Sequence, residues 1–185
     1  MALIITHDDR ILNHILNETR SPTGTSELTV ATAPEMIEKL LDREGKHVEE
    51  VTQQVKKDAK LLKLVLEGAT STNEAYSYNC SKALSRISEQ DPELLYQEWK
   101  RFEMLLESKN SFHCAIAVYV IARLARIDEK KQFEKIFARY FGMLDDESLM
   151  IARYVAQNAG RIAKSKPALM NKITSELLKV EKTHF

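Results

Sequence analysis

Glycine and proline are scarce in this chain of 185 residues, which has only five of the first and four of the second. Proteins built from many short strands use both residues in their turns, so this scarcity favours long helices. Long apolar runs are also missing, since a membrane-spanning helix needs about 20 apolar residues in a row. The opening segment MALIITHDDR has an apolar run too short for the core of a signal peptide. We therefore expect a cytoplasmic, all-α protein without a membrane segment.

The sequence carries no excess of charge of either sign, because 27 basic side chains balance 27 acidic ones. A neutral total gives no overall electrostatic attraction to DNA, RNA or an anionic membrane, which disfavours nucleic acid as a partner. Cysteine is rare as well. Cys80 and Cys114 are 34 residues apart, each in an apolar helical run, so we predict buried reduced thiols and no disulfide.

Sequence motifs of catalysis are absent. The chain has no G-x-S-x-G, no phosphate-binding loop and no H-E-x-x-H, so we predict no catalytic residue and no cofactor. One cluster resembles a metal site, with His7, Asp8, Asp9 and His14 close in sequence. On a helix, however, its two histidines would be about 10 Å apart along the axis, too far to share one ion. We therefore predict no metal site.

A six-residue pattern with a central arginine occurs three times. The copies are ALSRIS at 83–88, VIARLA at 120–125 and NAGRIA at 158–163. Arg86 and Arg123 are 37 residues apart, and Arg123 and Arg161 are 38 apart; we call these three residues the Arg ladder. Five residues after each arginine stand Asp91, Asp128 and Lys166, so the match continues into the following turn. Such a period in helical sequence is typical of stacked helix pairs.

Apolar spacing and turn residues predict the helices around this repeat. One uninterrupted amphipathic helix is expected from Lys46 to Glu67, with Gly68 as the residue that ends it. Trp99, with Leu95 and Phe102 on its stripe, is expected in the core, and a second aromatic cluster at 133–141 is predicted. The predicted helix pairs are 46–68 with 73–89, 92–107 with 110–127, and 129–144 with 146–164.

The N-terminal part follows no such period. A helix is predicted at 8–19, followed by a Ser/Thr/Pro-rich loop from Ser21 to Pro34 and a helix that Pro34 starts. We therefore divide the sequence into an N-terminal helical segment, 1–45, and a repeat domain, 46–185. The last predicted helix, 167–182, is the first member of a fourth pair that has no second member. It caps the stack, continues into a longer protein, or is covered by another chain, which makes it a candidate for self-association.

The repeated unit resembles the HEAT/armadillo-type repeat, in which a helix of the form A-x-A-L-G-x-I-A leads through a bend with Asp or Pro into a second helix. The segment from Ile151 to Ala163 matches best, and 80–88 and 117–125 match more loosely. The resemblance covers about residues 46–185 and does not extend to 1–45. It implies an α-solenoid (an α-α superhelix) of about three and a half helical-hairpin repeats behind the N-terminal segment.

The resemblance also implies that the arginine-containing helix is the second of each pair and lines a concave surface. Residues four positions before the Arg ladder should project from the same face as the ladder. The candidate binding residues are Lys82, Arg86, Tyr119, Arg123, Arg153, Gln157 and Arg161. In the other interpretation each ladder arginine pairs with a carboxylate or turn carbonyl of its neighbour, with Asp91 and Asp128 as candidates.

These observations favour a non-catalytic scaffold or adaptor that binds an unidentified protein or peptide through its concave face. Two other functions stay open. One is a nucleic-acid-binding HEAT-like protein, and the other is an accessory subunit of an enzyme complex.

Overall fold

The computed structural model describes residues 33–42 and 44–179, and in this part of the chain it contains ten α-helices and no strand. The all-α prediction is confirmed for these residues, whereas the predicted helix at 8–19 and the His7–His14 cluster lie outside them. The helices are α1 (Ala33–Leu40), α2 (Val48–Val55), α3 (Ala59–Gly68), α4 (Glu74–Gln90), α5 (Pro92–Tyr96), α6 (Trp99–Leu105), α7 (Ser111–Leu124), α8 (Gln132–Gly142), α9 (Leu149–Ser165) and α10 (Met170–Lys179).

Contacts group the chain into two compact units, one up to Leu84 and one from Ser85 onward. The division into 1–45 and 46–185 was based on sequence pattern and stays a prediction. Among the described helices, none is both long and apolar enough to cross a membrane.

In the first unit, α1 packs against α2 and α3. Its buried face consists of Met36, Ile37 and Leu40, as its spacing predicts. The side-chain amide of Asn79 donates to the carbonyl oxygens of Leu40 at 2.9 Å and Asp42 at 2.7 Å. The bond to Leu40 satisfies a carbonyl at the C-terminal end of α1 that has no partner within the helix, and the bond to Asp42 holds the segment that follows.

The predicted uninterrupted helix from Lys46 to Glu67 is wrong, because a short non-helical segment between Val55 and Ala59 separates α2 from α3. Asp58 causes the break. Its carboxylate accepts the amide hydrogens of Lys60 at 2.8 Å and Leu61 at 3.3 Å, which makes it the N-cap of α3. The apolar spacing continues on both sides of the break, so hydrophobic period alone does not reveal it.

Gly68 does not end α3 in the left-handed conformation that a C′ glycine adopts. It is the last residue of the helix, and the residue after it is right-handed. A Cβ at Gly68 would lie 2.5 Å from Tyr76 Cζ and 2.6 Å from Cys80 Sγ. Glycine is therefore required here for close packing and not for a positive φ.

The second unit is built around α7, which is apolar on nearly every side and packs against α5, α6 and α9. Trp99 is 2% exposed, and Leu95 and Phe102 are buried beside it, so the predicted core position is confirmed. The predicted single helix over 92–107 is wrong, since Gln97 and Glu98 separate α5 from α6. Pro92 opens α5, and the side chain of Asn110 caps α7.

The predicted aromatic cluster is confirmed on α8, where Phe133, Phe137, Tyr140 and Phe141 make ring contacts with centroids 4.8–6.4 Å apart. The Tyr140 hydroxyl donates to the carbonyl of Val118 at 3.0 Å. This bond attaches α8 to the central helix α7 and satisfies a fully buried hydroxyl.

Successive sequence repeats of the second unit lie in contact. Lys166 Nζ is 3.1 Å from Asp128 Oδ2, and these residues hold the same place in the period, 38 residues apart. On the outer helices, Arg139 of α8 donates to Glu107 at 2.8 Å and to Glu103 of α6 at 3.3 Å. In addition, α9 packs on α7, and α10 packs on α8. Contacts in the second unit thus join segments that lie about one sequence period apart.

Candidate functional site

Arg123, the middle member of the Arg ladder, is buried and fully engaged. It is 3% exposed, and its guanidinium lies over the Tyr119 ring, 3.2 Å from the ring centroid. Its Nε donates to Glu89 at 3.1 Å, its Nη2 also donates to Glu89, and its Nη1 donates to the Tyr119 carbonyl at 3.3 Å. Arg123 therefore makes the contact with a neighbouring carboxylate that one interpretation of the ladder expects, but the carboxylate is Glu89 and neither Asp91 nor Asp128.

Glu89 interacts with several arginines of this region. The hydrogen bond from Arg123 lowers the pKa of Glu89, and the nearby charge of Arg161 lowers it further. Burial lowers the pKa of Arg123, and the bond to Glu89 opposes that effect. The Arg126 guanidinium also donates to the backbone carbonyl of Glu89 at 2.7 Å. Two members of the ladder, Arg123 and Arg161, thus lie close to one carboxylate.

Asp128 is a second buried carboxylate with several partners. It accepts the backbone amide hydrogens of Gln132 at 2.9 Å and Phe133 at 2.8 Å, and the Tyr96 hydroxyl at 2.7 Å. Lys166 adds an ion pair. Burial alone would raise the pKa of Asp128, but these donors outweigh it and hold the pKa below its ordinary value. Asp128 caps α8 and connects three segments of the repeat, so its role is structural.

Other reactive side chains are poorly placed for catalysis. Cys80 and Cys114 are buried and free, as predicted, and burial raises the pKa of both, that of Cys114 to about 11. Thiols in such surroundings are weak nucleophiles. Within the described residues, no group of three or more His, Cys, Asp or Glu side chains is arranged to hold a metal ion.

The accessible candidates lie mainly on α9. Arg153, Gln157 and Arg161 are all exposed and recur every four residues, so they share one side of the helix. Arg153 and Arg161 make no ion pair in the part of the chain that the structure describes. Gly160 lies beside them, and apart from its chain neighbours and the backbone of its own helix no atom lies within 4 Å of the place where a Cβ would stand.

The remaining candidates are distributed over the two units. In the first unit, Lys82 is exposed and its Nζ lies 4.3 Å from the centroid of the Tyr78 ring. In the second unit, Arg86 is exposed and Tyr119 is half-buried under the Arg123 guanidinium. On α10, the self-association candidate, Met170 and Leu178 are exposed. Whether any of these residues binds a partner stays a prediction.

Sequence reasoning missed Glu89, because it falls outside the six-residue pattern and its partner Arg123 is 34 residues away. The repeat pattern did place Asp128 and Lys166 at the same position of successive repeats, and that shared position was the sequence signal for their contact. The accessible cations of α9 suit recognition of an anionic surface, whereas Glu89, the carboxylate near Arg161, is already paired with Arg123. No family model, no curated protein and no solved structure matches this chain.

Proposed function

We propose that the protein is a non-catalytic helical-repeat scaffold or adaptor of HEAT/armadillo type, acting in the cytoplasm. It binds a protein or peptide through the face that the second helices of its repeats present. The observation that carries this proposal is the exposed row of Arg153, Gln157 and Arg161 on α9, the helix with the best match to the repeat.

The contacts of the second unit support a solenoid architecture. Its ion pairs and polar contacts between successive repeats join residues 32–38 apart, close to one sequence period. In the proposed stack, each repeat contacts its neighbour through equivalent helices, which is how solenoids build a continuous core. Solenoids of this kind present extended surfaces, and an unpaired polar row on such a surface is suited to binding.

The experiment compares partner capture by the wild-type chain and by the double variant Arg153→Glu/Arg161→Glu, each immobilised and exposed to extract of the native cell. Arg123 is left unchanged, because a carboxylate at this buried position would lie against Glu89 and destabilise the fold. We expect proteins enriched by the wild type to be lost from the double variant.

The matched control is Lys130→Glu/Lys135→Glu, which makes the same change of charge at two exposed positions in and before α8. Circular dichroism confirms that all three proteins are equally helical. Equal capture by the wild type and the α9 double variant contradicts the proposed binding face, and the absence of any specific protein partner contradicts the scaffold function.

A further inference from the structure

The region around α9 is basic in an otherwise neutral chain. No Asp or Glu occurs between Glu147 and Glu176, so α9 contains cations and no anion. Its cations are Arg153, Arg161 and Lys164, and all three are exposed. The helix therefore presents a local positive field that the balanced total charge conceals.

These cations belong to one continuous stripe. Met150, Arg153, Gln157, Arg161 and Lys164 are all exposed and follow one another at steps of three and four residues, which places them along one side of the helix. We call these five residues the α9 stripe. It runs for about 21 Å, or four turns, at the rise of an α-helix. A second helix of about four turns, laid along the stripe, has the same length and presents side chains at the same steps of three and four residues.

The N-terminal end of the stripe is apolar. Met150 is 37% exposed and its neighbour Leu149 is 64% exposed, in contrast to the buried apolar residues Ile151 and Val155 that hold α9 on the core. Beside the stripe, Gly160 has open space in place of a side chain, so another backbone can approach closely. The surface thus combines an apolar end with a cationic middle.

We propose that the α9 stripe is the docking surface for an acidic amphipathic helix of a partner protein, an inference that rests on the proposed function. Carboxylates of that helix pair with Arg153, Arg161 and Lys164, and an apolar side chain covers Leu149 and Met150. Charge complementarity selects the partner and sets its register along the stripe.

A protein helix fits this surface better than a nucleic acid does. Three cations along four turns neutralise few phosphates, and nucleic-acid affinity depends on many such contacts. The exposed apolar end also has no counterpart on a phosphate surface.

The test uses three labelled synthetic peptides of four to five helical turns. Each has leucines at helical spacing on one face, and the neighbouring positions are Glu in the first, Gln in the second and Lys in the third. Fluorescence anisotropy measures their binding to the full chain, to Arg153→Glu/Arg161→Glu and to the control Lys130→Glu/Lys135→Glu. A labelled single-stranded and a duplex DNA are measured in parallel.

We expect the wild type and the control to bind the Glu peptide about tenfold more tightly than the Gln peptide, and more weakly as salt increases. The α9 double variant loses this preference and binds the Lys peptide instead. Equal binding of the Glu and Gln peptides, or no binding of either, overturns the proposal. DNA binding that the double variant abolishes overturns it in favour of a nucleic acid.

The inference and the function fail in distinguishable ways. If cellular partners are captured equally by the wild type and the α9 double variant, the scaffold stands and its binding face lies elsewhere. If no cellular partner is captured although the Glu peptide binds as expected, the stripe recognises acidic helices and the proposed function is the part that fails.

Discussion

Replacement of Asp128 by Ala should lower the free energy of unfolding by about 3–4 kcal/mol, the sum of a lost helix cap and lost hydrogen bonds to a charged acceptor. The variant removes the acceptor for the amides of α8 and for the Tyr96 hydroxyl. It also leaves Lys166, whose side chain is 9% exposed, with Glu134 as its remaining carboxylate. Urea unfolding followed by the fluorescence of Trp99 measures this change, because Trp99 is the single tryptophan and contacts Tyr96.

Two further variants complete this test. One is a control at another aspartate, and the other changes only the charge of Asp128. Asp145→Ala, at an exposed site of the same unit, should change stability by less than about 0.5 kcal/mol. Asp128→Asn keeps the size of the side chain but removes its charge. A loss of less than 1 kcal/mol for Asp128→Ala, against an estimate of about 3–4, contradicts the structural role of this carboxylate.

The pH dependence of the same residue follows from its lowered pKa. Folding favours the ionised form of Asp128, so its contribution is complete above the pKa of an unfolded aspartate, about 3.9. The contribution is lost as pH falls through the lower pKa of the folded state. The wild type should therefore lose stability below about pH 4 more steeply than Asp128→Asn does.

Removal of Glu89 should be the second large effect. Glu89→Ala leaves the Arg123 guanidinium buried without its carboxylate, at a cost of about 1.5–3 kcal/mol for lost hydrogen bonds between charged groups. Arg123→Met should cost less, because Glu89 is half exposed and water can solvate it. The double variant Glu89→Ala/Arg123→Met should recover much of the loss, since neither charge is then buried.

A double-mutant cycle in urea measures the coupling between these two residues. Glu93→Ala, which removes an exposed carboxylate from α5, is the matched control and should leave stability nearly unchanged. Losses that simply add in the Glu89/Arg123 double variant would show that Arg123 and Glu89 do not depend on each other.

Much of the helical framework follows from local sequence. The arginine period gave the register in which Asp128 and Lys166 come together, because a repeat places equivalent residues side by side. Pro92 and Asn110 begin α5 and α7 for local reasons, since a proline in the first turn lacks an N–H that would have no partner there and the Asn110 side chain accepts an amide hydrogen of the first turn.

The features that sequence reasoning missed depend on contacts between distant residues or on competition between local signals. Gly68 was interpreted as a helix terminator, although its reason is the approach of Tyr76 and Cys80. At Asp58 the N-cap overrides an apolar spacing that continues past it. The burial of Arg123 depends on Glu89, and no local sequence pattern predicts a partner that is 34 residues away.

The central claim is that successive helix pairs of the second unit lie side by side in register, and cysteine cross-linking tests it most directly. Glu107→Cys, just after α6, and Arg139→Cys, in α8, replace a solvent-accessible pair. The buried Cys80 and Cys114 should react slowly. A short bis-maleimide should cross-link the two introduced thiols within one chain, confirmed by mass spectrometry of the peptides. If both thiols label with single maleimides but form no intramolecular cross-link, the in-register stack is contradicted.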